Sequence, residues 1–236
     1  MRRLLIIVGL AVAIAAPASA QSRNRVVRTI SEDFGRSGIQ TVVFELNVGK
    51  VEISGADTDT IRAEIEIRCP RGRSRERCED RAEDVTLSSS QRGGKLYLEV
   101  NGTGLWRARD AQVLVRLTLP QDMPIELDFG TGELTVENLS GDIFLEMSIG
   151  EATLTNVSGN ITVDMGIGEI SVSMPQDAVA EVTLDNGIGG TELRHRDGRN
   201  AMEGILGGTD VHWDNGTGVH IVKIDLNIGE IRVRLR

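Results

Sequence analysis

Glycine recurs every nine residues through the middle of the chain, at Gly132, Gly141, Gly150, Gly159 and Gly168. Aligned on these positions the sequence reads GELTVENLS, GDIFLEMSI, GEATLTNVS, GNITVDMGI, GEISVSM. Alternate halves share a character, so the true unit is 18 residues. Ile125, Ile143 and Ile161 line up at that interval, as do Leu127, Leu145 and Val163, and Phe129, Met147 and Met165. Leu134, Ala152 and Ile170 form a fourth row, and Val136, Leu154 and Val172 a fifth. A fixed period of this kind marks an array whose units bury their apolar side only by stacking. Each half has room for one strand of about five residues and a turn. Stacked about 4.8 Å apart, equivalent residues form ladders. The expected fold is therefore all-β, a single-stranded β-helix or β-solenoid with coils of about 18 residues and undetermined handedness. A narrow interior of Val, Ile, Leu and Met rows also accounts for an aromatic content of only 3%.

The same motif occurs outside the regular stretch, in ELNVGKVEI (45–53), DNGIGGTEL (185–193) and DLNIGEIRV (225–233). Elsewhere period-two alternation in IRAEIEIR and AQVLVRLTLP predicts half-buried strands. Residues 85–89 and 96–100 flank QRGGK and predict a hairpin. A helical turn is expected only around residues 200–206. At the end of the chain Arg232, Arg234 and Arg236 alternate with Ile231, Val233 and Leu235, charges that would guard a terminal edge strand.

The chain opens MRRLLIIVGLAVAIAAPASA, a basic start, a short apolar run and a small-residue cleavage site. This reads as a signal peptide over residues 1–20, with the mature chain starting at Gln21. The expected organisation is one solenoid domain over 21–236, with N-terminal strands and a disulfide loop in 21–120 and regular repeats with a C-terminal cap in 121–236. Location follows: exported, periplasmic or at the cell surface, with no membrane-crossing segment after cleavage. Removing Arg2 and Arg3 turns the net charge of −9 into −11, which argues against general nucleic-acid binding. The two cysteines, Cys69 and Cys78, would pair in an oxidising compartment, and closing so short a loop is worth about 2.5–3 kcal/mol in the chain-entropy model.

Several chemistries compete for the repeats. The GTG and GIG triplets do not make a phosphate loop, because they repeat and lead into strands rather than one helix N-terminus. Glycines at coil corners need only permit unusual backbone angles and close packing. Calcium β-rolls also use nine-residue repeats, but with an internal Asp that is missing here. Two acidic ladders nevertheless arise, Asp128–Glu146–Asp164 and Glu133–Glu151–Glu169, as a solvated pair of rows or a stripe for divalent cations. No His-supported carboxylate pair, aromatic sugar platform or GxSxG elbow points to catalysis. His195, His212 and His220 have no metal-ligand spacing. Asn138 and Asn156 begin glycosylation-like triplets at turns, 18 residues apart, where their amides could stack. Phe144 is an isolated outward apolar residue. Between the cysteines, Arg71, Arg73, Arg75 and Arg77 alternate. An extended loop would put four guanidinium groups on one side, suited to an anionic ligand.

The signal sequence, ELNVGKVEI, the run IELDFGTGELTVENLSGDIFLEM and the closing DLNIGEIRV together resemble the bacterial "putative adhesin" family of exported β-solenoid domains. The resemblance covers most of residues 38–236; the arginine insert and residues 194–212 depart from it. That family has no established catalytic residues, so none are carried over and no cofactor is implied. The expected function is a non-enzymatic binding or structural module of the cell envelope, whose partner is an envelope protein or polysaccharide. The alternatives are a calcium-binding β-roll and a β-helix enzyme acting on polysaccharide.

Overall fold

The computed structural model describes residues 24–70, 75–103, 111–196, 198–204, 208–214 and 217–236, so the expected signal peptide lies outside it, as do Arg71 and Arg73. In chain order the elements are β1 (Asn24–Gly35), β2 (Thr41–Ala56), β3 (Thr60–Pro70), α1 (Arg75–Asp84), β4 (Thr86–Arg92), β5 (Lys95–Asn101), β6 (Gln112–Pro120), β7 (Ile125–Glu137), β8 (Ile143–Thr155), β9 (Ile161–Met174), β10 (Val179–His195), β11 (Gly198–Gly204), β12 (Thr209–Asp214) and β13 (His220–Leu235). The molecule is nearly all-β, built on one large mixed sheet that does not close on itself.

Six long strands form its centre, all parallel, in the order β2–β7–β8–β9–β13–β10. Each is bent into two arms. On β7 the first arm turns Ile125, Leu127 and Phe129 inward and the second turns Leu134 and Val136 inward. The step from Phe129 to Leu134 is odd, so the alternation would aim the second arm's apolar residues at solvent if the strand ran straight. The bend restores them to the core. At its apex the backbone of Gly132 has φ +149°, and Gly150 and Gly168 both have +151°. The inward residues of both arms belong to one continuous cluster. All five apolar rows read from the sequence are buried and in register across β7, β8 and β9.

The apex glycines form a column through all six strands: Gly49, Gly132, Gly150, Gly168, Gly229 and Gly189. A Cβ on any of the last five would lie 1.7–2.0 Å from the carbonyl oxygen of the glycine before it in the column. The column therefore needs glycine twice over, for its backbone angle and for its approach to the neighbouring strand.

Short links return the chain from the second arm of one strand to the first arm of the next. Residues 138–142 and 156–160 do this, held by bonds such as Ile125 N–H to the Asp142 carbonyl, 2.9 Å. Asn138 and Asn156 start the two links with φ of 58° and 55°, and the Asn156 amide donates to Asn138 Oδ1 at 2.7 Å. The stacked asparagines are thus turn residues, as expected.

At each end of the central stack the two arms part company. The first arm of β2 pairs with β5 and its second arm with β6. At the far end the first arm of β10 pairs with β12 and its second with β11. The hairpin expected around QRGGK is β4–β5, turning at Gly93 and Gly94 with φ 58° and 78°.

Three expectations are corrected. Residues 198–204 are strand β11, not a helical turn, because the end of β10 offers them a complete antiparallel partner. Residues 75–84 are helical instead of part of an extended loop. The last strand, β13, is not an edge: it is inserted between β9 and β10 and bonded to both. It carries the same corner motif as β9 and β10, so either side of it can match, and the slot follows from pairing rather than chain order. Its arginines consequently face outward from the interior of the sheet.

Gly150→Ala is expected to cost about 3 kcal/mol or more, because the intruded atom is backbone and the angle is unfavourable. Gly190→Ala, beside the column on β10, meets nothing within 4 Å and should be neutral or stabilising by up to about 1 kcal/mol. Urea denaturation midpoints of the two variants check the contrast.

Candidate functional site

The corner places three kinds of side chain on the outside of the stack. The residue before each apex glycine points to solvent. Across the strands these residues are Val48, Thr131, Ile149, Ile167, Ile228 and Ile188, in register. The four isoleucines are 43–48% exposed on four consecutive strands. At about 4.8 Å per strand they form a continuous apolar ridge about 15 Å long. Scattered apolar residues such as Phe144, outward as expected, need no explanation, but a contiguous column does. The repeat motif showed Val, Ile or Thr at this position without showing which way it faced. The parity change at the corner is the signal that could have revealed it.

Carboxylates flank the ridge on both sides. On the first-arm side Asp128, Glu146 and Asp164 stand in register as expected, and the row is far longer than three. It runs Glu99, Glu45, Asp128, Glu146, Asp164, Asp225, Asp185 and Asp210, across eight strands. Glu99 and Asp210 were invisible in the repeat because β5 and β12 lie outside it. On the second-arm side the row is Lys50, Glu133, Glu151, Glu169 and Glu230.

Like charges one strand apart oppose each other, and the two rows meet this differently. The second-arm row is interleaved with the protein's own cations. Lys50 Nζ lies 3.5 Å from Glu133, and Arg232 bonds both Glu169, at 3.0 Å, and Glu230. The first-arm row has Lys223 beside Asp225 at 3.3 Å. Burial, with the charges of Glu99 and Asp128, pushes the Glu45 carboxyl above its ordinary range. A hydrogen bond shared with Asp210, then burial and the charges of Asp210 and Asp225, push Asp185 up as well. Among the described residues no group of three or more His, Cys, Asp or Glu side chains is arranged to hold a metal ion. His212 is exposed on β12, and His195 lies against Trp213 with ring centroids 5.7 Å apart.

The cysteines are placed elsewhere. Cys69 at the end of β3 and Cys78 on α1 form the expected disulfide and are buried. Arg28 of β1 closes the helix by donating to the carbonyls of Ala82, Glu83 and Val85 at 2.7–3.0 Å, a cation at a helix C-terminus. Arg75 opens the helix and Arg77 is exposed on it. Residues two apart do not share a helix face, so the alternation that would have gathered four guanidinium groups is interrupted. Arg71 and Arg73 lie outside the described residues.

Asp185 provides a test of the ladder's electrostatics. A carboxyl held above its ordinary range weakens the fold while ionised. Lowering the pH through its folded-state value removes that cost, until the unfolded chain protonates too. Asp185→Asn should therefore stabilise the protein at neutral pH by about 0.5 kcal/mol, the scale of one opposed cross-strand pair. The gain should vanish as the pH falls to about 4, the ordinary aspartate range. Denaturation curves at several pH values read both effects.

Comparison with known proteins places this arrangement in a wider group. Residues 21–194 match the family described as "N-terminal domain of toast_rack, DUF2154". No curated protein matches the chain. A solved structure named as a "putative cell adhesion protein" from Clostridium sporogenes is similar, with TM-score 0.61 and 17% identity over 89% of this chain and 99% of that one. A "putative adhesin" from Bacteroides fragilis, at TM-score 0.22 and 9% identity, covers 89% and 98% of the two chains. A "Putative lipid binding protein" from Parabacteroides distasonis, at 0.26 and 12%, covers 88% and 94%. The first of these shares the fold of this chain.

Proposed function

This chain belongs to the toast_rack N-terminal domain family, and on that premise we propose that it is an exported, non-enzymatic, adhesin-like module that binds at the cell envelope through its corner ridge. The observation that carries the reading is the column Ile149, Ile167, Ile228, Ile188, an apolar strip held in solvent by the same corners that build the core. The fold does not require it, since Thr131 fills the equivalent slot on β7. The 18-residue spacing and the short return links support reading β7, β8 and β9 as coils of a β-solenoid, stiff enough to present a straight ridge. The cleavable signal and the name of the Clostridium sporogenes neighbour support export and adhesion. The partner this surface fits is an envelope protein with an apolar strip bordered by basic residues, because carboxylate rows line both flanks.

Two other contacts are carried forward from the sequence. The insert bearing Arg71, Arg73, Arg75 and Arg77 remains a candidate for an anionic ligand, fastened by the Cys69–Cys78 disulfide. The rows Asp128–Glu146–Asp164 and Glu133–Glu151–Glu169 remain a candidate cation stripe. Lys50 and Arg232 already neutralise part of the second row, which favours solvated rows over bound calcium.

The test compares binding of the mature protein to envelope isolated from its own cells. Replacing Ile149, Ile167, Ile188 and Ile228 by Thr should leave the melting temperature within a few degrees and reduce binding at least tenfold, about 1.4 kcal/mol. Unchanged binding by a folded variant would sink the ridge reading. Loss of binding only when the four insert arginines become Ser would move the contact to the disulfide region. A melting temperature indifferent to both calcium and EDTA is expected, and a calcium-dependent rise would instead establish the cation stripe.

A further inference from the structure

The second arms of β8, β9, β13 and β10 present a surface unlike the rest of this acidic protein. Their outward residues stand in two registered rows. One is Thr153, Ser171, Arg232 and Glu192; the other is Thr155, Ser173, Arg234 and Arg194. With Arg236 they line an open groove of about 290 Å³. Around the buried Leu154, Val172 and Val233, the β8 and β9 side of the groove offers hydroxyls and the β13 and β10 side guanidinium groups with Glu192. Among the described residues one carboxylate side chain, Glu192, lines it, and that one is shared between Arg194 and Arg199, the latter at 2.8 Å. Arg232 is held by Glu169 and Glu230 at the corner end of the groove. Arg234 makes no ion pair or side-chain hydrogen bond among the described residues, although it lies on a strand hydrogen-bonded on both sides and directly beside Ser173 and Arg194.

We infer that this groove is a binding site for an acidic oligosaccharide, its carboxylate or phosphate held by Arg234 and Arg194 and its sugar hydroxyls by Thr155, Ser173, Thr153 and Ser171. Guanidinium groups offer paired donors that match either acid group. Serine and threonine hydroxyls both donate and accept, as sugar hydroxyls do, and so complement them in either orientation. The volume is at the small end of ligand sites and suits one or two sugar units of a longer chain left free to leave the open ends. A bilayer surface is the less suitable occupant. The large exposed apolar residues of the described chain are Val26, Phe144, Val219, Ile221 and the four ridge isoleucines, and none of them lines this groove. The site is separate from the corner ridge and from the disulfide insert, and it turns the unexpected interior position of β13 to use. Insertion beside β9 sets Arg234 against Ser173, and insertion beside β10 sets it against Arg194.

Isothermal titration of the mature protein with trigalacturonate and with mannose 6-phosphate tests the site, maltotriose serving as the uncharged comparison. At least one acidic probe should bind with a Kd of about 1 mM or tighter, weaken as salt rises, and outbind maltotriose at least tenfold. Arg234→Ser and Arg194→Ser should each reduce that affinity about tenfold or more without changing the unfolding midpoint of the fold. Arg77→Ser, on α1, should leave it unchanged. Absence of binding by both acidic probes, or equal binding by the Arg234→Ser protein, overturns the inference. Binding to phosphatidylglycerol vesicles in place of the sugars overturns it too, in favour of a lipid surface. The isoleucine-to-threonine ridge variant should bind the probes normally, so failure of the ridge reading and failure of this site are distinguishable.

Discussion

A single backbone approach underlies this structure: the carbonyl oxygen of one apex glycine occupies the space where the next strand's glycine would carry a Cβ. Six strands stack through that contact, from Gly49 to Gly189. Everything on either side of the column depends on it. Inward, the bend brings two arms of opposite parity onto one core. Outward, it leaves the residue before each glycine with nowhere to go but solvent. A protein that folds by this device acquires an exposed column as a by-product, and its chemistry is then open to use. Here four of six positions are isoleucine.

In-register stacking multiplies whatever a motif carries. An acidic residue before and after the corner becomes, over successive strands, a wall of carboxylate about 4.8 Å apart. The protein relieves these walls locally, with Lys50 at the start of one, Arg232 beside its far end and Lys223 beside the other. Burial and the neighbouring carboxylates still raise the carboxyl of Glu45, and the hydrogen bond with Asp210, burial and the charges beside it raise that of Asp185 in spite of Lys223. The column also ends in a chemical cap. Asn186 replaces an apolar residue in the interior of β10 and donates to the carbonyls of Gly229 and Gly190, at 3.0 and 3.1 Å. Behind it, Thr191 and Thr209 share a buried hydrogen bond of 2.8 Å. These polar groups mark the strand at which parallel stacking gives way to the antiparallel β11 and β12.

Much of the architecture was legible in the residues. The 18-residue period named the five apolar rows, the stacked asparagines and the carboxylates that meet across β7, β8 and β9. The motif copies at 45–53, 185–193 and 225–233 identified β2, β10 and β13 as members of the same stack. The helix α1 was missed because its sequence, RERCEDRAED, has almost no apolar stripe. Burial of Cys78 and Ala82 and the guanidinium of Arg28 hold it in place, and these are tertiary contacts. β11 was misread for the converse reason: a segment of weak preference takes the conformation of the edge it pairs with.

What the sequence determined by itself was periodicity: which residues repeat, at what interval, and hence which would face a common core once strands were stacked. Period and glycine spacing are properties of a chain before it folds, and stacking translates them directly into rows. What only the tertiary structure decided was order and direction. The isoleucines could be placed outside only by the angle at the corner. The groove of Arg194 and Arg234 exists only because β13 inserts between β9 and β10. A strand's neighbours are chosen by which edges offer matching rows and free backbone groups, and that choice involves residues far apart in the chain, where local pattern carries no information.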